Sequence, residues 1–332
     1  MYAEGLRRAF DMVTDLKIPI YVTENGVADD DDDMRPEHIR RHLLITSEAI
    51  ADGIDVRGFY HWSLMDNFEW AEGYDQRFGL YHVDFETQKR TLKESGHEYA
   101  AIVKAHTTPQ LVVMAGGLGT RLGEMSEKTP KSLIEVNGKP MLHHILDWAQ
   151  AQGCMHALVL TGHLGEQFEG ITHPGMALTF HQEKEPLGTG GALWNAKELL
   201  EERFLLVWGD DWHPIEYKPL IELHHSANAP LTMTVTQAHD TKNLRHENGR
   251  LLQYDKNSKS TDSLNGYEAG TSIVEKSTVL KYGHSGKWSW EETVYSALSG
   301  EAAVHLDDTK FWDMGTPERL ASFEKFLKDT SV

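Results

Sequence analysis

Leu111-Val112-Val113-Met114-Ala115-Gly116-Gly117-Leu118-Gly119-Thr120-Arg121-Leu122, followed by Lys128-Thr129-Pro130-Lys131-Ser132-Leu133, is the stretch whose reading decides the fold. An apolar run over Leu111–Ala115 predicts a strand that empties into a glycine loop. Glycines let backbone N–H groups approach and cradle phosphate oxygens, while Arg121 and Lys131 add mobile positive charge. Taken alone, such a loop is a Rossmann turn, a Walker turn or a tight bend. The Walker pattern fails because no Gly-Lys-Ser/Thr closes the loop, and the Rossmann spacing lacks its third glycine.

Downstream, helix and strand patterns alternate. Helices are expected at 140–152 and 192–200, and strands at 157–161, 178–182, 204–207 and 231–237. The strand at 204–207 ends in Gly209-Asp210-Asp211. This alternation predicts a three-layer, Rossmann-like α/β domain with its site where loops leave the carboxyl ends of strands. Upstream, Val103–Gln110 turns polar and ends in Thr107-Thr108-Pro109, a domain boundary because proline disfavours helix at the residue before it. The expected organisation is 1–105, a linker at 106–109, and 110–332.

The two loop motifs together resemble the sugar-nucleotide nucleotidyltransferases, whose signature is present as Gly116–Leu122 and Pro130-Lys131. Glu185-Pro186-Leu187-Gly188-Thr189-Gly190-Gly191-Ala192, Gly209-Asp210 and Trp312-Asp313-Met314-Gly315-Thr316-Pro317 extend the likeness over about residues 110–328. The resemblance implies that a sugar 1-phosphate attacks the α-phosphate of an NTP, assisted by Mg²⁺. Asp210 and Asp313 would carry the metal, since Mg²⁺ takes one or two carboxylates plus phosphate oxygens and waters. Gly116, Gly117, Gly119, Thr120 and Gly188 would surround the nucleotide. Arg121 would hold the leaving phosphates, Lys131 would neutralise the α-phosphate, and Lys256 would meet the sugar phosphate. Asp211 is read as a neighbouring loop carboxylate rather than a ligand.

Glu183 stands three residues before Pro186, where relatives carry a side chain that reads the base. A carboxylate only accepts, which suits guanine N1–H and N2–H and favours GTP; a mixed amide would suit uracil or thymine. The likeness is accordingly to mannose- or heptose-1-phosphate guanylyltransferases. Tyr267-Glu268-Ala269-Gly270-Thr271-Ser272 departs from the Asn-Ala-Gly-(Ile/Val)-Tyr text of relatives, so the sugar stays open. His143, His144, His224 and His225 are assigned to helix faces.

The first third reads as helix 3–16, strand 18–23, helix 36–51, a second buried strand 56–62 and a closing helix 92–104. Two parallel strands alone would leave both outer edges unpaired. Tyr21-Val22-Thr23-Glu24-Asn25-Gly26 and Trp62-Ser63-Leu64-Met65-Asp66-Asn67-Phe68-Glu69-Trp70 resemble the carboxyl-terminal part of family 1 glycoside hydrolases, which are retaining (β/α)₈ barrels. The resemblance implies the last two β/α units of an incomplete barrel. Glu24 would be the nucleophile, and Trp62, Glu69 and Trp70 would line a sugar subsite. Retaining hydrolysis needs a second carboxyl about 5–5.5 Å from the nucleophile. The Thr-x-Asn-Glu-Pro text that supplies it in the family is absent here. The segment is therefore expected to be a remnant, a fusion junction, a sugar-binding module, or a piece that complements another chain. The run Asp29–Asp33 is expected to be a solvated loop, because adjacent aspartates repel.

The formal charge of −19 divides almost evenly, −9 over residues 1–106 and −10 over the rest. So acidic a chain is a poor partner for nucleic acid or an anionic membrane. A single cysteine, Cys154, excludes an intramolecular disulfide. Together with the lack of a signal-like start or a long apolar run, this points to the cytoplasm.

Overall fold

The computed structural model describes residues 2–106, 108–117, 123–256 and 263–330. The chain forms two compact units that divide between His106 and Thr107.

In the first unit, helix α1 (Glu4–Val13) leads to strand β1 (Ile20–Asn25), and helix α2 (Arg35–Ala51) to strand β2 (Val56–His61). A hairpin of β3 (Tyr81–Val83) and β4 (Arg90–Leu92) and helix α3 (Glu94–His106) follow. β1 and β2 pair in parallel, with Ile20 opposite Val56 and Asn25 opposite His61. Phe10, Val22, Ala49, Ile54 and Val56 make a small core.

Two expectations are corrected in this unit. Neither β1 nor β2 is a buried strand: Val22 and Val56 are covered, whereas Tyr21 and Tyr60 are more than half exposed. The reason is that, among the described residues, each strand has only the other as a neighbour. The aspartate run is not simply solvated either. Asp29 is buried, and its Oδ2 accepts from the N–H groups of Met34 and Arg35 at 2.9 Å each, satisfying donors at the start of α2. Asp32 pairs with the fully buried guanidinium of Arg35 and accepts from Ser95. A buried countercharge three residues on overrides the repulsion within the run.

The second unit is built on a nine-stranded sheet. Its first strand is β5 (Gln110–Met114), followed by the short helix α4 (Glu124–Lys128), the small hairpin β6 (Glu135–Val136) and β7 (Lys139–Pro140), and helix α5 (Met141–Ala151). Then come β8 (His156–Thr161), β9 (Ala177–Gln182), helix α6 (Gly188–Asn195), β10 (Arg203–Trp208) and the two-residue β11 (Asp211–Trp212). The chain continues through α7 (Tyr217–Ala227), β12 (Leu231–Thr236), β13 (Leu244–Glu247), β14 (Arg250–Tyr254) and β15 (Tyr267–Glu275). Helix α8 (Lys276–Tyr282), β16 (Ala303–Leu306), β17 (Trp312–Asp313) and α9 (Pro317–Thr330) complete it. Strand order in the sheet is β13-β14-β16-β12-β15-β10-β5-β8-β9.

Successive residues of the central strands feed opposite cores, as the two-residue pleat requires. Leu111, Val113, Val159, Leu205 and Val207 pack on one face with Ile145 of α5, Leu220 of α7 and Phe323 of α9. Val112, Leu158, Phe204 and Leu206 pack on the other with Leu193 of α6, Val279 of α8 and Trp290. The three layers and the five strands expected from the sequence are present, and β13, β14, β15 and β16 join those strands in the sheet. β15 inserts antiparallel between β10 and β12, so the sheet is mixed rather than parallel throughout.

Candidate functional site

The strands β10, β5, β8 and β9 run parallel side by side, so the loops after their carboxyl ends converge. Gly209 follows β10 and donates its N–H to Met114 O at 2.9 Å, which brings the Gly209-Asp210 turn against the start of the glycine loop. Gly116, Gly117, Thr161, Glu183, Pro186, Gly188, Thr189 and Asp210 line one cavity of about 320 Å³ with Trp208 and Lys287. Glu183 leaves the end of β9, its N–H donating to Thr161 O at 2.9 Å. Its Oε2 accepts from Leu187 N at 3.2 Å, and its Oε1 lies 3.3 Å from where a side chain on Gly116 would begin. Burial pushes this carboxyl above the usual glutamate range. Gly119, Thr120 and Arg121, expected at the same loop, lie outside the described residues.

The carboxylates assemble from distant segments. β11 and β17 pair antiparallel, setting Asp211 opposite Asp313, and Met314 N donates to Asp210 O at 3.0 Å. Lys131 forms an ion pair with Asp210. Asp313 is held by both oxygens on Arg319, at 2.9 and 2.8 Å, and accepts from Gly315 N. Asp211, read from sequence as a bystander, sits within this group. Burial first, then the charges of Asp210 and Asp313, push its carboxyl well above the ordinary aspartate range. The doubled Asp210-Asp211 was the available signal, but only the β11–β17 pairing turns it into a cluster.

Lys256 donates to Glu291 Oε1 at 2.8 Å. Glu291 Oε2 in turn accepts from Thr189 Oγ1 at 2.5 Å, and Thr189 lines the same cavity as Glu183 and Asp210. Glu291 was missed in the sequence, as was Glu268. Glu268 is buried on β15, its Oε1 accepting from Gly270 N at 2.8 Å. Burial pushes its carboxyl up to about 7. Of the histidines assigned to helix faces, all four lie on α5 or α7, and His224 is tied to Thr232 and Glu275.

In the first unit, Trp62 follows β2 and donates its N–H to Asn25 O at 3.0 Å, so the residues after β1 and β2 lie together. Glu24 is exposed, Trp70 is 84% exposed, and Glu69 Oε2 is buried with no hydrogen-bond partner among the described residues. Asp66 organises the loop between them, accepting from Gly79 N and pairing with Lys93 and Arg77. No described helix is long and apolar enough to cross a membrane.

Comparison with known proteins divides the chain at the same place. Residues 110–329 match the model for Nucleotidyl transferase, and residues 1–108 match that for Glycosyl hydrolase family 1. Among curated proteins, the 1,4-beta-D-glucan glucohydrolase of Thermotoga neapolitana is 46% identical over 94 residues, covering 26% of this chain and 21% of that protein. The beta-galactosidase of Pyrococcus woesei is 45% identical over 94 residues, covering 28% of this chain and 18% of that protein. The chain thus spans about a fifth of the length of these curated relatives. Among solved structures, HddC from Yersinia pseudotuberculosis complexed with GMP-PN superposes with a TM-score of 0.58 at 24% identity, covering 66% of this chain and 100% of that one. A UDP-glucose pyrophosphorylase complexed with UDP-glucose gives a TM-score of 0.58 at 16% identity, over 67% and 99% of the two chains. These two establish the shared fold of the second unit.

Proposed function

The chain belongs to the nucleotidyl transferase family, and from that premise we propose that residues 110–332 transfer a nucleotidyl group from an NTP, GTP by preference, to a sugar 1-phosphate. The observation that carries this reading is the convergence, at the carboxyl ends of parallel strands, of Gly116, Gly117, Glu183 and Asp210, the last paired with Lys131, around one cavity. A sugar-phosphate oxygen attacks the α-phosphorus, the bond from that phosphorus to the bridging oxygen of the β-phosphate breaks, and pyrophosphate leaves with the electron pair. In such chemistry the protein mainly positions and neutralises charge. Lys131, now paired with Asp210, would turn to the α-phosphate when nucleotide enters, and Arg121 would hold the departing phosphates. Lys256 would orient the sugar phosphate from its anchor on Glu291. Gly116, Gly117, Gly119, Thr120 and Gly188 would line the nucleotide.

The donor set fits Mg²⁺. Mg²⁺ takes one or two carboxylates and draws its other ligands from phosphate and water. Asp210 and Asp313 would hold it, and the crowding that raises Asp211 is what a divalent cation relieves. Bound there, the ion would neutralise developing charge on the phosphates. A pyrophosphate-release assay over NTP and sugar 1-phosphate pairs tests the reading: activity unchanged in Asp210→Ala/Asp313→Ala would overturn the metal assignment.

For residues 1–108 the proposal is a different one. Exposed Tyr21, Tyr60, Phe68 and Trp70, together with two strands lacking outer neighbours among the described residues, favour a segment that completes its sugar site with strands from another chain. There Glu24 would be the nucleophile, and Trp62, Glu69 and Trp70 would contact sugar. The alternative is a sugar-binding module without turnover. Saturable glucose binding by the protein, lost in Trp62→Ala, would favour that alternative.

A further inference from the structure

We infer that Lys287 is a second base-reading residue and that, with Glu183, it restricts the nucleotide cavity to guanine. This rests on the nucleotidyl-transfer reading above and deepens its base choice. Lys287 stands more than a hundred residues after Glu183, in a loop with no sequence signal, yet both line the same cavity with Gly116, Pro186 and Trp208.

The loop that carries Lys287 is fastened to the loop that carries Glu183. Trp288 N donates to Leu187 O at 3.0 Å, and Gly190 N donates to Trp288 O at 3.1 Å. Leu187 N is itself the donor to Glu183 Oε2. One short chain of bonds therefore joins the carboxylate to the residue beside Lys287. The two loops approach so closely that side chains are excluded. A Cβ on Gly188, which has φ +72°, would lie 2.5 Å from Trp288 O, and one on Gly190 would lie 2.1 Å from the Trp288 ring. Indole Nε1 of Trp288 donates to His284 O at 3.0 Å, closing the turn beneath Lys287. Lys287 is exposed, and its positive charge acts on the Glu183 carboxyl with which it lines the cavity.

The base follows from the chemistry of the two groups. A lysine only donates, and a carboxylate only accepts. A base that meets both along one edge must offer an acceptor beside donors. Guanine offers O6 next to N1–H and N2–H. Adenine sets an amino donor against the ammonium and a ring acceptor against the carboxylate, and cytosine does the same. Uracil and thymine flank their single N–H with carbonyl oxygens, one of which would face Glu183. The pair thus admits guanine and opposes the other four bases, discrimination by mismatch as much as by match.

The test uses the full chain and four nucleotides, GTP, ITP, ATP and UTP, with binding of the corresponding diphosphates measured by calorimetry alongside turnover. Inosine keeps O6 and N1–H but lacks the N2 amino group. In Lys287→Met, affinity for GDP and IDP should fall together by at least tenfold, because both lose the O6 contact, with ADP little changed. Lys287→Arg should restore most of the loss. In Glu183→Gln, GDP should fall by more than IDP, since only GDP loses the N2–H contact. A GDP preference untouched in Lys287→Met, or equal losses for every base, would overturn the inference. Turnover with UTP or ATP in preference to GTP would also overturn it while leaving nucleotidyl transfer standing. No turnover with any of the four would instead defeat the underlying reading.

Discussion

Replacing Glu268 by glutamine should make the protein more stable at alkaline pH and leave it unchanged at acid pH. Glu268 lies buried on β15, where burial lifts its carboxyl from an ordinary value of 4.5 to about 7. The folded protein therefore holds this proton more tightly than the unfolded chain does. Below about pH 4.5 both states are protonated and the residue has no pH-dependent effect. Between 4.5 and about 7 the unfolded chain loses its proton first, so stability falls as pH rises; above about 7 the penalty is complete. Each pH unit of that interval is worth about 1.4 kcal/mol, which gives a full penalty of about 3 kcal/mol. Glutamine has nearly the same shape and can still accept from Gly270 N, whose bond to Glu268 is 2.8 Å. Urea denaturation of both proteins from pH 5 to 8, followed by tryptophan fluorescence, reads the difference. Buried histidines such as His213, pushed down to about 4, give the opposite slope in each protein and cancel in the subtraction. A difference between variant and parent that stays constant across this range would refute the argument, for it would mean the carboxyl does not titrate there.

Three further outcomes follow from the same geometry. Asp210→Ala with Asp313→Ala should abolish Mg²⁺-dependent pyrophosphate release while the sheet persists by circular dichroism, since both residues sit at strand ends outside the two cores. Lys256→Ala should raise KM for the sugar phosphate about ten- to a hundredfold, the value of a charge-assisted hydrogen bond, with a smaller effect on kcat in steady-state kinetics. Asp29→Ala should destabilise the first unit by about 1–2 kcal/mol in chemical denaturation, because two N–H groups at the start of α2 lose their acceptor.

The fold was legible wherever one segment carried its own pattern. Leu111–Met114 and Phe204–Val207 announce strands because every residue there is apolar, and both faces of the sheet are covered. The glycine loop and Gly209-Asp210 announce a site because they terminate those strands. β15 escaped because its sequence, Tyr267–Glu275, places Glu268, Thr271 and Ser272 at positions the sheet nevertheless buries. Glu268 and Gly270 answer each other across two residues there, so the polar groups are satisfied locally, and no hydrophobic period reveals the strand. Asp29–Asp33 misled for the opposite reason. Read as composition, the run is five repelling charges, yet the Arg35 guanidinium pairs with Asp32 while the first N–H groups of the same helix bind the Asp29 carboxylate.

What the sequence hides most thoroughly is the part of the site made by pairing across long separations. Asp211 becomes a member of the acidic group only through the two-residue ladder with Trp312-Asp313, and Lys287 reaches the cavity only because Trp288 locks onto Leu187. Neither ladder carries a periodic signal, since each is too short to show one. Both depend on glycine or strand-end positions elsewhere that permit close backbone approach. The motifs that resemble a family therefore mark where phosphate and metal would be handled, chemistry common to every substrate. Of the two residues that would distinguish one base from another, Glu183 stands beside such a motif, whereas Lys287 enters from a loop without one. Base choice in this chain should accordingly respond to changes at 183 and 287 that leave the glycine loop and the carboxylates untouched, and a swap of loop residues 284–288 between two such enzymes should carry base preference with it.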